Sequence, residues 1–367
     1  MKLKKNPKRI LLILLFPLGF LLFHITTLTP DFIEKVYSRG VNKIFIQLLS
    51  SMTGLVPISI AELGLLILVV LIPILMICQM IKVIRQKSDK LKRLLKLAIN
   101  IAIIISLIYF ILVLCWSLNY NRLSFSEIAK LDTRPASVNE LGTLCENLIN
   151  LANTQRNAVD QNQNGVMSLT GGYLKAFKTA NKGYEKAAKL YPVFTGTYGR
   201  PKAVLLSKAM SFTGIIGLYC PFTGEANIDI DIPDYSIPAT VCHEMAHQHG
   251  FAREDEANYI AWLTCEMNPD PDFQYSGTIL ALLNSMSALY EHDPNMNLQL
   301  RKKMSDSVRR DILADQNYWK QHQGPVEKVT TSLNNAYLKA NRQKDGVYSY
   351  GRMVDLLIAE FRKKLQP

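Results

Sequence analysis

The sequence predicts three N-terminal transmembrane helices followed by an α+β, mostly helical domain. Three observations carry that expectation: long apolar runs crowd the first third of the 367-residue chain, strand-like alternation is confined to a short region near residue 230, and helical patterns with start and stop signals fill most of the chain beyond that region. At this length there is room for one globular domain beside a membrane region.

The apolar runs are Ile10 to Leu28, Ile58 to Ile77 and Leu97 to Leu118. Each reaches the roughly 20 residues that a helix needs to cross a hydrocarbon core of about 30 Å. Lys2, Lys4, Lys5, Lys8 and Arg9 precede the first run as they would in a secretory signal, but no small-residue cleavage pattern comes after it and two more spans do. Up to Leu118 there are 15 Lys and Arg against 4 Asp and Glu, so +11 of the net charge of +12 belongs to the membrane region. The basic balance therefore gives no support to nucleic-acid binding; it orients the spans. The loop with Lys82, Arg85, Lys87, Lys90, Lys92, Arg93 and Lys96 is far more basic than the loop with Lys35, Arg39 and Lys43. The positive-inside bias then places the N-terminus and the second loop in the cytoplasm. Three crossings put residues 119–367 outside a multi-pass plasma-membrane protein whose membrane region is residues 1–118. Of the six cysteines, Cys145, Cys220, Cys242 and Cys265 fall in the outer domain, where an even count permits disulfides without specifying them.

In the outer domain, Ser137 with Glu140 three residues later is a capping-box signature for a helix through about Leu151. A helical pattern runs from Leu169 to Leu190, ended by Pro192, Gly196, Gly199 and Pro201. Ala203 to Leu206 and Gly214 to Tyr219 read as short strands. Ala226 to Ile232 alternates polar and apolar residues and reads as a half-buried strand. Ser236 is placed to cap a helix with Pro238 in its first turn and Gly250 as its left-handed C-terminal residue. Further helices are expected from Arg253 to Glu266, Gly277 to Glu291, Leu298 to Gln321, Val326 to Arg342 and Tyr350 to Lys364.

The chemistry concentrates in one of these helices. His243, Glu244, Met245, Ala246 and His247 form an HExxH motif, in which the i, i+4 spacing sets both imidazoles on one face, able to bind a single Zn²⁺, with Glu244 beside them as general base. Val241, Cys242, Met245 and Ala246 offer an apolar face to bury the helix. A catalytic zinc wants a third protein ligand. Position 253, six beyond His247, holds Arg where a metzincin would have His, so a glutamate from the next helix is expected: Glu254, with Glu256 as second choice. Glu254 is preferred because Asn258 lies one turn later, where it can accept a hydrogen bond from a ligating imidazole. His249 reads as a surface residue or a neighbour of the ligands, and Tyr348, Tyr350 and Arg352, just before the last helix, as candidate oxyanion donors.

Glu254, Ala257 and Asn258 after HExxH resemble the ExxAD element of the HtpX-type membrane gluzincins, with Asn258 in place of the aspartate; an amide orients an imidazole less strongly than a carboxylate does. The string HEMAHQHGFAREDEAN, the upstream PFTGEANID and the three preceding spans resemble a domain-of-unknown-function family of bacterial membrane proteins grouped with the zincin-like peptidases. The resemblance implies a zincin-like metallopeptidase domain and a Zn²⁺ site. The expected function is a membrane-anchored zinc metalloprotease, acting on a peptide or protein substrate at the outer membrane surface with the bilayer as its other partner and no nucleic acid. Glu244 would take the proton of the attacking water and deliver it to the leaving amine, and Ala226 to Ile232 would receive the substrate as an added strand. The alternative is a zinc-binding membrane scaffold or receptor that does not cleave; it sits less well with the retained Glu244.

Overall fold

A computed structural model describes residues 7–85 and 89–365, so Lys2, Lys4, Lys5 and Lys87 lie outside the described residues, as does the side chain of Tyr350. Three helices near the N-terminus, Lys8–Leu28, Ile60–Ile84 and Lys90–Cys115, are long and apolar enough to cross a membrane. The second and third run one to two turns further toward the basic loop than the apolar runs alone indicate, because Lys82, Lys90, Lys92, Arg93 and Lys96 are tolerated in helical ends.

The segment between the first two spans is more than a connector. It winds as a π-helix over Ile33–Val41 and continues as α1 (Asn42–Thr53). It is tied to the C-terminal part of the chain by buried polar contacts. Arg122 donates to both carboxylate oxygens of Glu34 and to the carbonyls of His249 and Gly250. Thr53 donates to the carbonyl of Thr223 and the amide of Gly199 to Ser50. The start of the second span is clipped in the same way: the Glu225 carboxylate accepts from the amides of Ile60 and Ala61 and from Lys202, while Glu62 accepts from the amides of Leu205 and Leu206. Anionic side chains thus face the orphan N–H groups of helix starts, where the dipole favours them.

The remaining helices are α2 (Val138–Gln155), α3 (Asn181–Leu190), α4 (Ile237–Gln248), α5 (Glu254–Met267), α6 (Pro271–His292), α7 (Asp306–His322), α8 (Pro325–Ala340) and α9 (Met353–Leu365), with shorter turns between them. The Ser137–Glu140 capping box forms at the start of α2. The expected helix Leu169 to Leu190 is two, Gly172–Thr179 and α3, and Leu298 to Gln321 is likewise split between Pro294–Arg301 and α7. One apolar core runs from Phe125 through Ile149, Phe194, Cys242, Phe251, Tyr259, Phe273 and Leu282 to Ile358. Each such large side chain withdrawn from water contributes roughly 1.5–3 kcal/mol. A second cluster joins Phe23, Ile46, Val113, Trp116 and Leu118 to Tyr219 and Ala252, so apolar packing continues across residue 118.

The sheet has three strands in the order β1-β3-β2, with β1 (Lys202–Ala203) parallel and β2 (Gly217–Cys220) antiparallel to β3 (Glu225–Ile228). Two expectations are corrected here. The alternating segment Ala226 to Ile232 is strand only as far as Ile228 and is not half-buried up to Asp229: Asn227 and Asp229 are as buried as Ala226 and Ile228, the first donating to Leu218 and Glu225 carbonyls, the second accepting from Ser211, and only Asp231 of the three polar residues is exposed. β3, paired with β1 on one side and β2 on the other, has no free edge for an added strand; β2 is the antiparallel edge strand.

Candidate metal centre

α4 begins with Pro238 in its first turn, where a missing N–H costs nothing, and ends at Gly250 with φ +80°. Ser236 does not cap it: its backbone is already helical and its side chain makes no capping bond. Val241, Cys242, Met245 and Ala246 are buried in the core, which holds the opposite face, with His243 and His247, toward α5. Gly250 turns the chain so that α5 starts with Glu254 against that face.

The result brings three ligand atoms together. His243 Nε2 lies 3.2 Å and His247 Nε2 3.6 Å from Glu254 Oε2, and the potential ligand atoms of the three residues all lie within 4.8 Å of one another. Each imidazole has its other nitrogen committed: His243 Nδ1 is 2.8 Å from Asn258 Oδ1 and His247 Nδ1 is 2.7 Å from the Phe251 carbonyl. Both oxygens are acceptors, so both Nδ1 atoms carry the proton and a neutral ring presents its Nε2 lone pair to the carboxylate. Among the described residues, Glu254 Oε2 is buried and has no hydrogen-bond partner. Lone pairs facing lone pairs in a buried site call for a cation between them, and two imidazoles with a carboxylate are a donor set that could hold a divalent metal ion. Without one, a proton meets the same demand: burial opposes charge on both groups, yet the Glu254 carboxylate lifts His247 to about 9, and the two imidazoles hold Glu254 down at about 2.

Glu244 stands beside this cluster. Burial raises its carboxyl above the ordinary range, against the pull of His243 and His247, and its Oε2 has no hydrogen-bond partner among the described residues. The backbone of β2 crosses directly over it: a Cβ on Gly217 would come within 2.5 Å of Glu244 Oε1. Trp116, the residue after the third span, sets its ring edge-on to His247 with centroids 5.5 Å apart, and donates its indole N–H to the Tyr337 hydroxyl on α8 at 2.9 Å. Tyr337 is close enough for the Glu254 charge to raise its pKa after burial has done so.

The other expected residues fall elsewhere. Glu256, the second choice as ligand, is held by Arg253 and by the amide of Phe125. Arg253, where a metzincin histidine would be, also donates to the carbonyls of Tyr120 and Arg122. Tyr348 is 80 % exposed; with Arg352 it lines a surface groove alongside Ser137, Asn284 and His292, and Arg352 pairs with Asp345. Neither joins the His243–His247–Glu254 cluster. His249 is not on the surface: it is buried, stacked on Tyr184 at 4.4 Å, and bonded through Nδ1 to the Met245 carbonyl. Burial pushes its pKa down to about 4. Cys145, Cys220, Cys242 and Cys265 are free thiols. Sequence reasoning passed over Phe251, Gly217, Trp116 and Tyr337. The first two act through backbone, which no side-chain motif records; the last two are brought in from opposite ends of the chain.

Residues 37–358 match the family described as "Protein of unknown function (DUF3810)", and the chain belongs to that family. No curated protein and no solved structure matches it.

Proposed function

We propose that the protein is a membrane-anchored, zinc-dependent metallopeptidase of zincin-like, gluzincin type. The observation that carries the reading is the convergence of two imidazole lone pairs and an unpartnered buried carboxylate oxygen within 4.8 Å, beside a second buried carboxylate, Glu244, that takes no part in the cluster. His243, His247 and Glu254 would hold the zinc, which when bound makes water a nucleophile near neutral pH and polarises a carbonyl. Asn258 and the Phe251 carbonyl fix the imidazole tautomers and ring directions. Glu244 accepts the proton of the attacking water; its raised pKa suits a group that must release that proton again, to the leaving amine.

A peptide would add to the free edge of β2, which runs over Glu244. Leu218 and Ile216 on that stretch are exposed and offer apolar contact. The Tyr337 hydroxyl takes the place of Tyr348 and Arg352 as the candidate oxyanion donor, since it is bonded to Trp116, whose ring meets His247.

The packing of residues 33–58 against the C-terminal domain supports a topology with both on one side of the membrane, as three crossings allow. The charge contrast between the loops favours the extracytoplasmic side for both. A reporter fused after residue 130 that registers as cytoplasmic overturns this orientation.

The activity is tested on the full chain in detergent, as wild type and Glu244→Gln, by measuring bound zinc and cleavage of a mixed peptide library. Zinc in both and cleavage by wild type alone is the expected outcome. Zinc-loaded wild type that cleaves no more than the variant refutes the peptidase reading and leaves a zinc-binding scaffold.

A further inference from the structure

We propose that α1 lies in the plane of the membrane surface, with one face in the lipid and the other carrying the C-terminal domain. At 100° per residue, Ile44, Phe45, Leu48 and Met52 of α1 fall within a single arc of about 100°, and all four are exposed, Leu48 at 62 % and Met52 at 68 %; Val41, the residue before the helix, is exposed too. Asn42, Ile46, Ser50 and Thr53 form the opposite face and are buried. That buried face is docked on the domain: Ser50 and Thr53 bond to Gly199 and Thr223, and Gln47 accepts from the amide of Thr197. The flank beside it is polar, with Lys43 donating to Thr195.

Four large apolar side chains on one continuous stripe of a three-turn helix are more than a water-facing helix carries by chance. The position of the helix in the chain identifies its cover. The first candidate span ends at Leu28 and the second begins at Ile60, so α1 is tethered at both ends, within a short reach of chain, to segments that leave the bilayer. Gly54 to Ser59 joins it directly to the second span, and Leu55, Val56 and Ile58 in that joint are exposed as well. An amphipathic helix with an apolar face and a polar face, held at this level, buries the apolar face at the boundary between headgroups and acyl chains. No acidic residue lies on the stripe, and the occupant is therefore lipid.

The consequence reaches the metal centre. Gln248 of α4 donates to the carbonyls of Gly199 and Gly224, the backbone that Ser50 packs against, and Trp116, at the end of the third span, touches His247. The domain is fastened to the bilayer surface by α1 on one side and by a span directly beneath a histidine of the site, whatever reaction that site performs.

The test uses the wild-type full chain in phosphatidylcholine vesicles containing a lipid with a diazirine on its acyl chain. After photolysis and digestion, adducts are located by mass spectrometry. The expected result is labelling on Ile44, Leu48 and Met52 about as strong as on the third span and more than about tenfold above that on the exposed Leu174 of the domain. Adducts confined to the three spans overturn the proposal. So does a stripe that is protected in protein-dense vesicles and becomes labelled as the protein is diluted in lipid, which assigns it to a second copy of the chain.

Discussion

Asn258 offers the sharpest single perturbation of the candidate metal centre. Its Oδ1 accepts from His243 Nδ1 at 2.8 Å and so fixes which nitrogen faces Glu254. His247 owes the same constraint to the main-chain carbonyl of Phe251, which no side-chain substitution removes. Asn258→Ala therefore releases one ligand ring and leaves the other held. Loss of such an orienting partner lowers metal affinity by about 10–100-fold, or about 1.4–2.7 kcal/mol. Ala is favourable in a helix interior, so α5 itself is not weakened. Asn258→Asp moves the other way, because a carboxylate is the stronger acceptor. Competition against a chromogenic chelator, with the full chain in detergent and Glu254→Ala as the ligand-loss reference, reads all three. If Asn258→Ala binds zinc as tightly as wild type while Glu254→Ala loses it, the argument from ring orientation is wrong.

Three further outcomes are expected. Gly217→Ala puts a methyl group against Glu244 and displaces its carboxylate, so cleavage should fall about 100-fold with zinc retained; unchanged turnover would falsify the placement of β2 over the base. Arg122→Met leaves Glu34 charged and buried, costing about 3–5 kcal/mol, and adding Glu34→Leu should recover most of it; equal Tm values for single and double variants in detergent count against this account. His249 is neutral when buried, with its pKa lowered from 6.5 to about 4. On acidification the unfolded chain takes up this proton first, so stability is lost as pH falls from 6.5 toward 4, by about 3 kcal/mol in total. His249→Gln lacks that loss, and a wild-type-minus-variant Tm difference that stays constant between those pH values refutes it.

The helices that were legible in the sequence are those whose ends carry local chemistry. The Ser137–Glu140 capping box and the Pro238 and Gly250 punctuation of α4 each act within a few residues, so their effect is written in adjacent letters. Where a boundary depends on packing, local signals mislead. Nothing local separates Gly172–Thr179 from α3, and Ser236 looks like a cap but enters the helix. The alternation at Ala226 to Ile232 describes a half-buried strand only if its polar residues face water; here Asn227 and Asp229 face Leu218, Glu225 and Ser211 inside the protein, and Asp231 alone is exposed.

The same division runs through the candidate metal centre. Periodicity alone sets His243 and His247 on one helical face, and the preference for Glu254 over Glu256 rests on Asn258 one turn on, because all of these are spacings along two consecutive helices. Three helices apolar enough to span a bilayer are equally legible from the letters, since that property depends on length and composition. Folding had to establish that β2, not β3, has the free edge beside Glu244, that Glu256 is spent on Arg253 and Phe125, that Trp116 and Tyr337 join the site, and that the segment after the first span is a helix docked on the domain. Each of these turns on contacts between residues far apart in the chain, and the energy of such a contact depends on both partners and on the burial around them, neither of which a spacing along the chain records.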